Sequence, residues 1–224
     1  MLQADSAGDL WVAQRNLWFS GVRLRARMTV IRLADGALWL HSPHEPTPEL
    51  CAELDRLGEV RWIVVPNRYH HLHAAATKAR YPGAQVLGPA SVIERNQTVV
   101  LDAPIETAVP GITAVALRGV PFLDETLFLH ARTGTLIGAD VMMCGCPADH
   151  FTWRWASRLF GQYGRYKAPP DVRKHTKPGP EVTASLAALA KLPVERIFVA
   201  HGDPIDDRPL EQLAEAWRFA TSDA

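Results

Sequence analysis

The stretch VRWIVVPNRYHHLH, residues 60–73, joins an apolar run to a turn rich in histidine. The run VRWIVV is largely apolar and β-branched, which predicts a central strand buried on both faces. His70 and His71 follow where this strand ends. Loops at strand ends gather reactive side chains from distant parts of an α/β chain. This stretch therefore predicts both an α/β fold and the edge of the sheet at which a site forms.

Upstream of this stretch, the pattern predicts strands joined by tight turns. The segments LWVAQRNLWF and VRLRARMTVIRL flank Ser20-Gly21, and Ala34-Asp35-Gly36 turns the chain into ALWLHS. In the second segment apolar residues alternate with arginine and threonine, which predicts one buried face and one wet face. A helix is then expected between Thr47, its N-cap, and Gly58.

Downstream, strands and helices alternate. A short helix near Lys78–Tyr81 leads to five predicted strands, and helices are expected at VTASLAALAKL and from about Asp207, on either side of the strand RIFVAHG. The five strands are AQVLGP, TVVLD, ITAVAL, ETLFLHA and TLIGAD. This order predicts two sheets covered by helices, an α/β layered sandwich.

The bulk composition is that of an ordinary globular domain. The chain has 224 residues, 47% hydrophobic and 21% charged, with no linker between segments, so one domain over residues 1–224 is expected. Its net charge of zero gives no electrostatic case for nucleic acid. There is no apolar run that could cross a membrane and no signal-peptide layout, which leads us to expect a cytoplasmic protein without a membrane partner. Nothing in the sequence indicates the oligomeric state.

One segment departs from this neutrality. Residues 150–177 carry seven Lys or Arg against one acidic residue, together with six aromatic residues. This basic aromatic insert, about residues 149–177, could cover a substrate, with Trp153 on an apolar group and Arg154 or Arg158 pairing with an anion. It could equally be an amphipathic helix with its aromatic residues in the core and its basic residues in water.

Four side chains at strand ends make a plausible metal site. His70 and His71 follow VRWIVV, Asp140 ends LIGAD, and His201 follows IFVA. Imidazole and carboxylate groups together suit a hard-to-borderline divalent ion. Cys144 and Cys146 lie near Asp140 in sequence, and small buried thiols are the simpler explanation for them.

The order of four segments resembles the metallo-β-lactamase superfamily, and more closely a divergent, uncharacterised branch of it. These segments are RMTVIRLADGALWLHSP, IVVPNRYHHLHAAATKARYPGAQVLGP, TLFLHARTGTLIGAD and VAHGDPI. The resemblance spans nearly the whole chain and implies a four-layer αββα sandwich.

The resemblance also implies a reduced metal site. Where the superfamily has H-x-H-x-D-H, this chain has Pro66 and Arg68 in place of the first two histidines and His70 in place of the aspartate. The later histidine of the superfamily pattern would fall near Arg118-Gly119, where neither residue is a usual metal ligand. The set His70, His71, Asp140 and His201 matches the other metal position, which implies one retained ion, Zn²⁺ or Fe²⁺ with Mn²⁺ as a third option.

Further roles follow from the same resemblance. His41 stands where the superfamily has an aspartate that orients the ligands. By its position two residues beyond the histidine pair, His73 is a candidate proton carrier, and a solvated helix position is the alternative. A hydrolase with one metal, acting on a small ester-like and anionic substrate, is the activity implied. Two alternatives stay open: a metal-free binding protein or pseudoenzyme on the same scaffold, and nucleic-acid or membrane-surface attachment through the insert.

Overall fold

The chain divides into two compact units in the computed structural model, which describes residues 1–5 and 8–221. The N-terminal unit comprises the described residues of 1–14 together with 27–114. The C-terminal unit comprises residues 15–26 and the described residues from 115 onward. A single domain over the whole chain stays a prediction.

The N-terminal unit is built on a sheet whose strands follow one another in chain order. The strands are β1 (Gln3–Ala4), β2 (Leu10–Phe19), β3 (Val22–Arg32), β4 (Leu38–His41), β5 (Val60–Val64), β6 (Gln85–Gly88) and β7 (Ala103–Pro104). The end of the β2–β3 hairpin, residues 15–26, belongs to the C-terminal unit. The helices are α1 (Pro48–Leu57), α2 (Ala74–Arg80) and α3 (Ser91–Arg95). Strands β3 and β4 are antiparallel, whereas β4 to β7 pair in parallel. The carboxyl ends of β4, β5 and β6 therefore share one edge.

Local sequence signals account for the turns in this unit. Gly36 has a φ of 85°, and Asp35 accepts a hydrogen bond of 3.0 Å from the backbone of Ala37. At the start of α1 the hydroxyl of Thr47 accepts a hydrogen bond from the backbone of Leu50, and Pro48 opens the helix. The hairpin and the capped helix are confirmed.

Two local predictions for this unit are wrong. The alternation in β3 predicted a wet face, but Arg27 and Thr29 are buried. They lie on an interior strand that is covered on both faces, so burial overrides the polar pattern. The segment TVVLD is a turn and coil, and only β7, just after it, pairs with β6. Val99 and Leu101 from this segment pack against the core without joining the ladder.

The C-terminal unit has a second sheet, in the order β11-β10-β9-β8. Its strands are β8 (Ile112–Ala116), which begins in the other unit, β9 (Thr126–His130), β10 (Thr135–Ile137) and β11 (Arg196–Phe198). The helices are α4 (Phe151–Leu159), α5 (Pro170–His175), α6 (Pro180–Leu189) and α7 (Pro209–Trp217), with 3-10 turns at Ala131–Thr133 and Arg218–Ala220. Strand β10 is antiparallel to β9 and parallel to β11. The carboxyl ends of β10 and β11 thus lie side by side.

Helix α7 closes the C-terminal unit, where a helix was expected from about Asp207. Leu213 and Trp217 are buried, and the indole nitrogen of Trp217 donates a hydrogen bond of 2.8 Å to the carbonyl of Val141. In the described part of the chain, no helix combines the length and apolar character needed to cross a membrane.

Candidate metal centre

Asp140 and His201 meet where the parallel strands β10 and β11 end. The backbone nitrogen of Ala200 donates to the carbonyl of Ala139 at 3.0 Å, which continues the pairing beyond the strands. The Nε2 atom of His201 lies 3.3 Å from Oδ1 of Asp140. The side chains are 7% and 13% exposed. This pair is a buried imidazole beside a buried carboxylate.

The hydrogen bond at the other ring nitrogen orients His201. Its Nδ1 lies 2.6 Å from the carbonyl oxygen of Arg25 on β3. A carbonyl oxygen only accepts, so Nδ1 carries a proton and donates it. In the neutral ring Nε2 then holds a lone pair beside Asp140. Burial lowers the pKa of His201, but the hydrogen bond and charge of Asp140 raise it by more, so that the pKa lies above its ordinary value.

A buried carboxylate that the sequence analysis missed holds the Asp140 loop. Glu125, which is 2% exposed, accepts hydrogen bonds from the backbone nitrogens of Ala139 at 2.7 Å and Asp140 at 2.9 Å. It precedes β9 in a segment that reads simply as the start of a strand. No motif marks it, because its role depends on β9 and β10 being neighbours.

Small residues allow the close approaches around the pair. A Cβ on Gly138 would lie 2.8 Å from a methyl carbon of Val141 and 3.1 Å from the Glu125 carboxylate. A Cβ on Gly202 would lie 2.8 Å from the ring of Tyr166. A side chain at Gly138 would therefore collide with the residues that surround Asp140.

Arg25 braces the loops on either side of His201. Its guanidinium lies 2.6 Å from Asp149, 2.8 Å from Asp203 and 3.0 Å from the sulfur of Cys146. Because the same residue supplies the carbonyl that receives His201, Arg25 connects β3 to both loops. Cys144 is buried, and burial raises the pKa of its thiol to about 11, consistent with a structural thiol.

In the N-terminal unit, the turn after β5 presents His70. Asn67 is fully buried, and its side-chain oxygen accepts hydrogen bonds from the backbone nitrogens of Tyr69 at 2.8 Å and His70 at 3.0 Å. This turn, an Asx motif, begins where the predicted strand ends. His70 is partly exposed.

A short hydrogen-bond chain connects His70 to His41. The Nδ1 atom of His70 lies 3.0 Å from the hydroxyl of Ser42, which in turn lies 3.2 Å from Nδ1 of His41. When His70 donates to Ser42 and Ser42 donates to His41, Nε2 of His70 is the nitrogen without a proton. His41 is buried and stacks on Trp39 with ring centroids 5.6 Å apart. The orienting role expected for His41 stays a prediction. His41 would orient His70 through the two hydrogen bonds of Ser42.

His71 turns to a different partner. Its Nδ1 lies 3.1 Å from Nδ2 of Asn96, whose oxygen already accepts hydrogen bonds from Thr98 at 3.0 and 2.7 Å. The amide nitrogen therefore faces His71, and Nδ1 accepts its hydrogen bond. Burial and the nearby charge of Arg95 lower the pKa of His71. The metal-ligand role of His71 stays a prediction. His73, the candidate proton carrier, is half-buried where α2 begins, and its role also stays a prediction.

The basic aromatic insert forms α4, α5 and the loops around them. Trp153 is buried against Leu24, Met143 and Ala156. Arg158 is exposed, with its guanidinium 3.5 Å from the ring centre of Tyr163, and Arg154 is partly exposed. Both interpretations of this segment are therefore incomplete, because some of its aromatic residues face the core and others face water. Substrate contact by Trp153, Arg154 and Arg158 stays a prediction.

The donors at the β10–β11 edge fit a divalent ion. Zn²⁺ and Fe²⁺ are bound by neutral imidazole and by carboxylate oxygen, and ligating histidines usually donate their other N–H to a carbonyl or carboxylate. His201 has this arrangement through Arg25. The same pair is also satisfied without an ion when His201 is protonated.

Comparison with known proteins identifies the fold. A family model described as "Domain of unknown function (DUF4336)" matches residues 7–147. A metallo-β-lactamase from Pontibacter korlensis is 15% identical with a TM-score of 0.61, covering 97% of this chain and 98% of that one. The metallo-β-lactamase FIM-1 from Pseudomonas aeruginosa in its mono-zinc form is 9% identical with a TM-score of 0.61, covering 97% and 94%.

A flavodiiron protein core is also similar in structure. The metal-soaked flavodiiron core of Flv1 from Synechocystis sp. PCC6803 is 12% identical with a TM-score of 0.65, covering 97% of this chain and 60% of that one. A search of curated proteins found no match. The structural neighbours confirm the predicted α/β metallo-β-lactamase fold class. The family model matches residues 7–147, which is more than half of the sequence. The chain therefore belongs to the family described as Domain of unknown function (DUF4336), a divergent branch with the metallo-β-lactamase fold.

Proposed function

We propose that this protein is a metal-dependent hydrolase that has kept one metal position. The observation that carries the proposal is the buried pair of Asp140 and His201, with the Nδ1 proton of His201 on the carbonyl of Arg25. A ligating histidine usually donates one ring N–H to a carbonyl or carboxylate and turns its other nitrogen to the ion, and His201 has this arrangement. Zn²⁺ or Fe²⁺ is the preferred ion and Mn²⁺ is a third option.

The proposed ligands are His70, Asp140 and His201, each of which offers one ligand atom. Support for His70 comes from the N-terminal unit alone, where Asn67 orders its backbone and Ser42 engages its Nδ1. The residues at Pro66 and Arg68, where the superfamily pattern has two histidines, are not metal ligands of the usual kind. The absence of these two histidines argues for one ion rather than two.

The protein's own residues would position the reacting groups. A single bound divalent ion supplies Lewis acidity and an activated water. Asp140 and His201 would fix the position of the ion relative to the substrate. Glu125 would hold the Asp140 loop through its two backbone hydrogen bonds. With one metal position, the leaving oxygen lacks a second cation. We therefore expect modest activity toward activated ester or phosphodiester substrates, small and anionic.

Elemental analysis of the protein purified without a His-tag or added metal tests this proposal. We expect about one Zn, Fe or Mn per chain in the wild type and in His175→Ala, which removes an exposed histidine. The metal is expected to be lost in His70→Ala, Asp140→Ala and His201→Ala. His71→Ala is expected to retain it, because Nδ1 of His71 accepts a hydrogen bond from Asn96, which leaves the proton of the neutral ring on Nε2.

The outcomes separate the alternatives. No metal in the wild type, even after supplementation with Zn²⁺, Fe²⁺ and Mn²⁺, would sink the hydrolase proposal. Metal retained in His70→Ala but lost in the other two variants would remove His70 from the ligand set. Stoichiometric metal would justify an esterase and phosphodiesterase screen with chelator-treated protein as the control.

A metal-free binding protein is the second candidate, and one observation favours it. The pKa of His201 is raised chiefly through Asp140, so the two can persist as a charged pair without an ion. In that case the pair holds the two strand-end loops together, and the wild type would contain no metal yet remain folded. A cytoplasmic location and a small-molecule ligand stay predictions under both candidates.

A further inference from the structure

Helix α4 presents an apolar stripe to solvent. Phe151, Trp155 and Leu159 are spaced four residues apart, which places them on one face of the helix. Their exposed fractions are 68%, 70% and 67%. Phe160, directly after the helix, is 42% exposed. This is the reverse of an ordinary surface helix, whose outward face is polar.

Packing on the opposite face holds the helix in this orientation. Trp153 and Ala156 are buried against Leu24 and Met143 in the same unit. The hydroxyl of Thr152 accepts a hydrogen bond of 3.0 Å from the backbone of Arg23 on β3. Because these contacts fix the inner face of the helix, the apolar stripe on its other face points to solvent.

The end of the β2–β3 hairpin extends the apolar surface. Trp18 and Phe19 are 64% and 48% exposed. The ring of His150 joins the two parts, with its centroid 5.6 Å from that of Trp18 and 4.4 Å from that of Phe151. We call the combined surface the aromatic ridge: Trp18, Phe19, Phe151, Trp155, Leu159 and Phe160.

Unneutralised positive charge borders the aromatic ridge. Arg154 and Arg158 line one shallow hollow together with Phe151 and Trp155. The guanidinium of Arg158 donates to the carbonyl of Arg154 at 2.7 Å. Throughout residues 150–177, which the structure describes in full, no Lys or Arg forms an ion pair with a carboxylate. The surface is thus apolar and cationic together.

We propose that the aromatic ridge attaches the protein to the surface of an anionic lipid bilayer. Exposed Trp, Phe and Leu side chains enter the boundary between headgroups and acyl chains, while neighbouring arginines pair with anionic headgroups. Attachment of this kind needs no spanning helix. The proposal therefore departs from the expectation of no membrane partner, which rested on the lack of a long apolar run.

The charge pattern disfavours a second copy of this chain as the occupant. A two-fold symmetric dimer would place the same patch on both sides of the interface. Arg154 and Arg158, which line the same hollow as Phe151 and Trp155, would then face their own copies. An anionic bilayer provides both the apolar layer and the opposite charge.

Co-sedimentation with vesicles tests the proposal. We expect the wild-type protein to bind vesicles of phosphatidylglycerol and phosphatidylcholine, to bind pure phosphatidylcholine vesicles far less, and to be released by high salt. Trp155→Ser with Leu159→Ser should weaken binding by at least about tenfold. Arg154→Gln with Arg158→Gln should weaken it by about fivefold for each charge removed.

Matched variants in the N-terminal unit control for general effects. Val100 is 67% exposed and Arg56 is exposed at the end of α1. Val100→Ser and Arg56→Gln should leave vesicle binding unchanged, and circular dichroism checks that every variant is folded. The proposal would be overturned by no binding to anionic vesicles, or by equal binding of the Trp155 and Leu159 variant. Self-association that this variant abolishes, without vesicle binding, would assign the aromatic ridge to a second copy instead.

Discussion

At the scale of single residues, the candidate centre depends on groups that are not themselves proposed as metal ligands. Glu125 accepts two backbone hydrogen bonds from the Asp140 loop, and Arg25 offers a carbonyl to His201. Buried polar groups of this kind stabilise a structure only when their partners are complete. The orientation of Asp140 and His201 is therefore sensitive to substitutions at positions that contact no substrate.

Glu125→Gln is expected to loosen the Asp140 loop. A carboxamide retains one acceptor oxygen but turns its NH₂ toward a backbone N–H, which leaves a buried donor unsatisfied. We expect a loss of about 1–3 kcal/mol in the free energy of unfolding and a metal affinity about 10–100-fold weaker. Urea unfolding and chelator competition measure these effects.

The control for this variant is Glu195→Gln, which changes an exposed glutamate in the same unit. It should alter neither quantity. A Glu125→Gln protein with wild-type stability and wild-type metal affinity would show that the two hydrogen bonds do not hold the loop.

At the scale of elements, α4 shows how one helix can bear two apolar faces. Its sequence FTWRWASRL places Trp153 and Trp155 two residues apart, which directs them to nearly opposite sides. Trp153 is 5% exposed and Trp155 is 70% exposed. Residue type alone cannot distinguish them, because both tryptophans have the same hydrophobicity.

Alanine substitutions at the two tryptophans should therefore differ strongly in stability. Trp153→Ala leaves a cavity beside Leu24 and Met143 and is expected to cost about 3–5 kcal/mol. Trp155→Ala removes a solvent-exposed ring and is expected to stay within about 0.5 kcal/mol of the wild type. Urea denaturation followed by circular dichroism measures both. Equal destabilisation by the two substitutions would contradict the orientation of α4.

At the scale of the whole molecule, positive and negative charges are equal in number. The chain carries 24 basic and 24 acidic residues. Long-range repulsion near neutral pH is therefore small, and the acid sensitivity of stability depends on individual carboxylates. Asp102 is one of these, since it accepts hydrogen bonds from the backbone of Val86 at 2.8 Å and from Lys78 at 3.0 Å.

Asp102→Asn should reduce stability at pH 7 but not in acid. Partial burial raises the pKa of Asp102, but the hydrogen bond from Val86 and the charge of Lys78 lower it by more, so that the folded pKa lies below its ordinary value. Such a carboxylate contributes stability above its unfolded pKa of about 3.9, and this is lost as the pH falls through the folded pKa. We expect a deficit of about 1 kcal/mol at pH 7 that shrinks below about pH 4.

Urea unfolding at several pH values tests this expectation, with the exposed Asp206→Asn as the control. A deficit that persists unchanged at pH 3 would mean that the amide disturbs packing and that the charge of Asp102 is not the cause.

Much of the fold could be predicted from local patterns. Thr47 and Pro48 mark the start of α1, Gly36 marks a turn, and the apolar run from Val60 marks a central strand. These signals act over a few residues, so they can be read along the chain. The order of four longer segments was enough to indicate the metallo-β-lactamase fold, which the structural neighbours confirm.

By itself, then, the sequence determined most of the secondary elements, the fold class and the strand-end positions of His70, Asp140 and His201. The tertiary structure alone decided that Glu125 holds Asp140, that Arg27 and Thr29 are buried, and that Trp153 rather than Trp155 lies in the core. The physical reason is that these outcomes depend on which strands and helices become neighbours. Neighbours are set by hydrogen bonding and packing between residues far apart in sequence, and no local pattern encodes that choice.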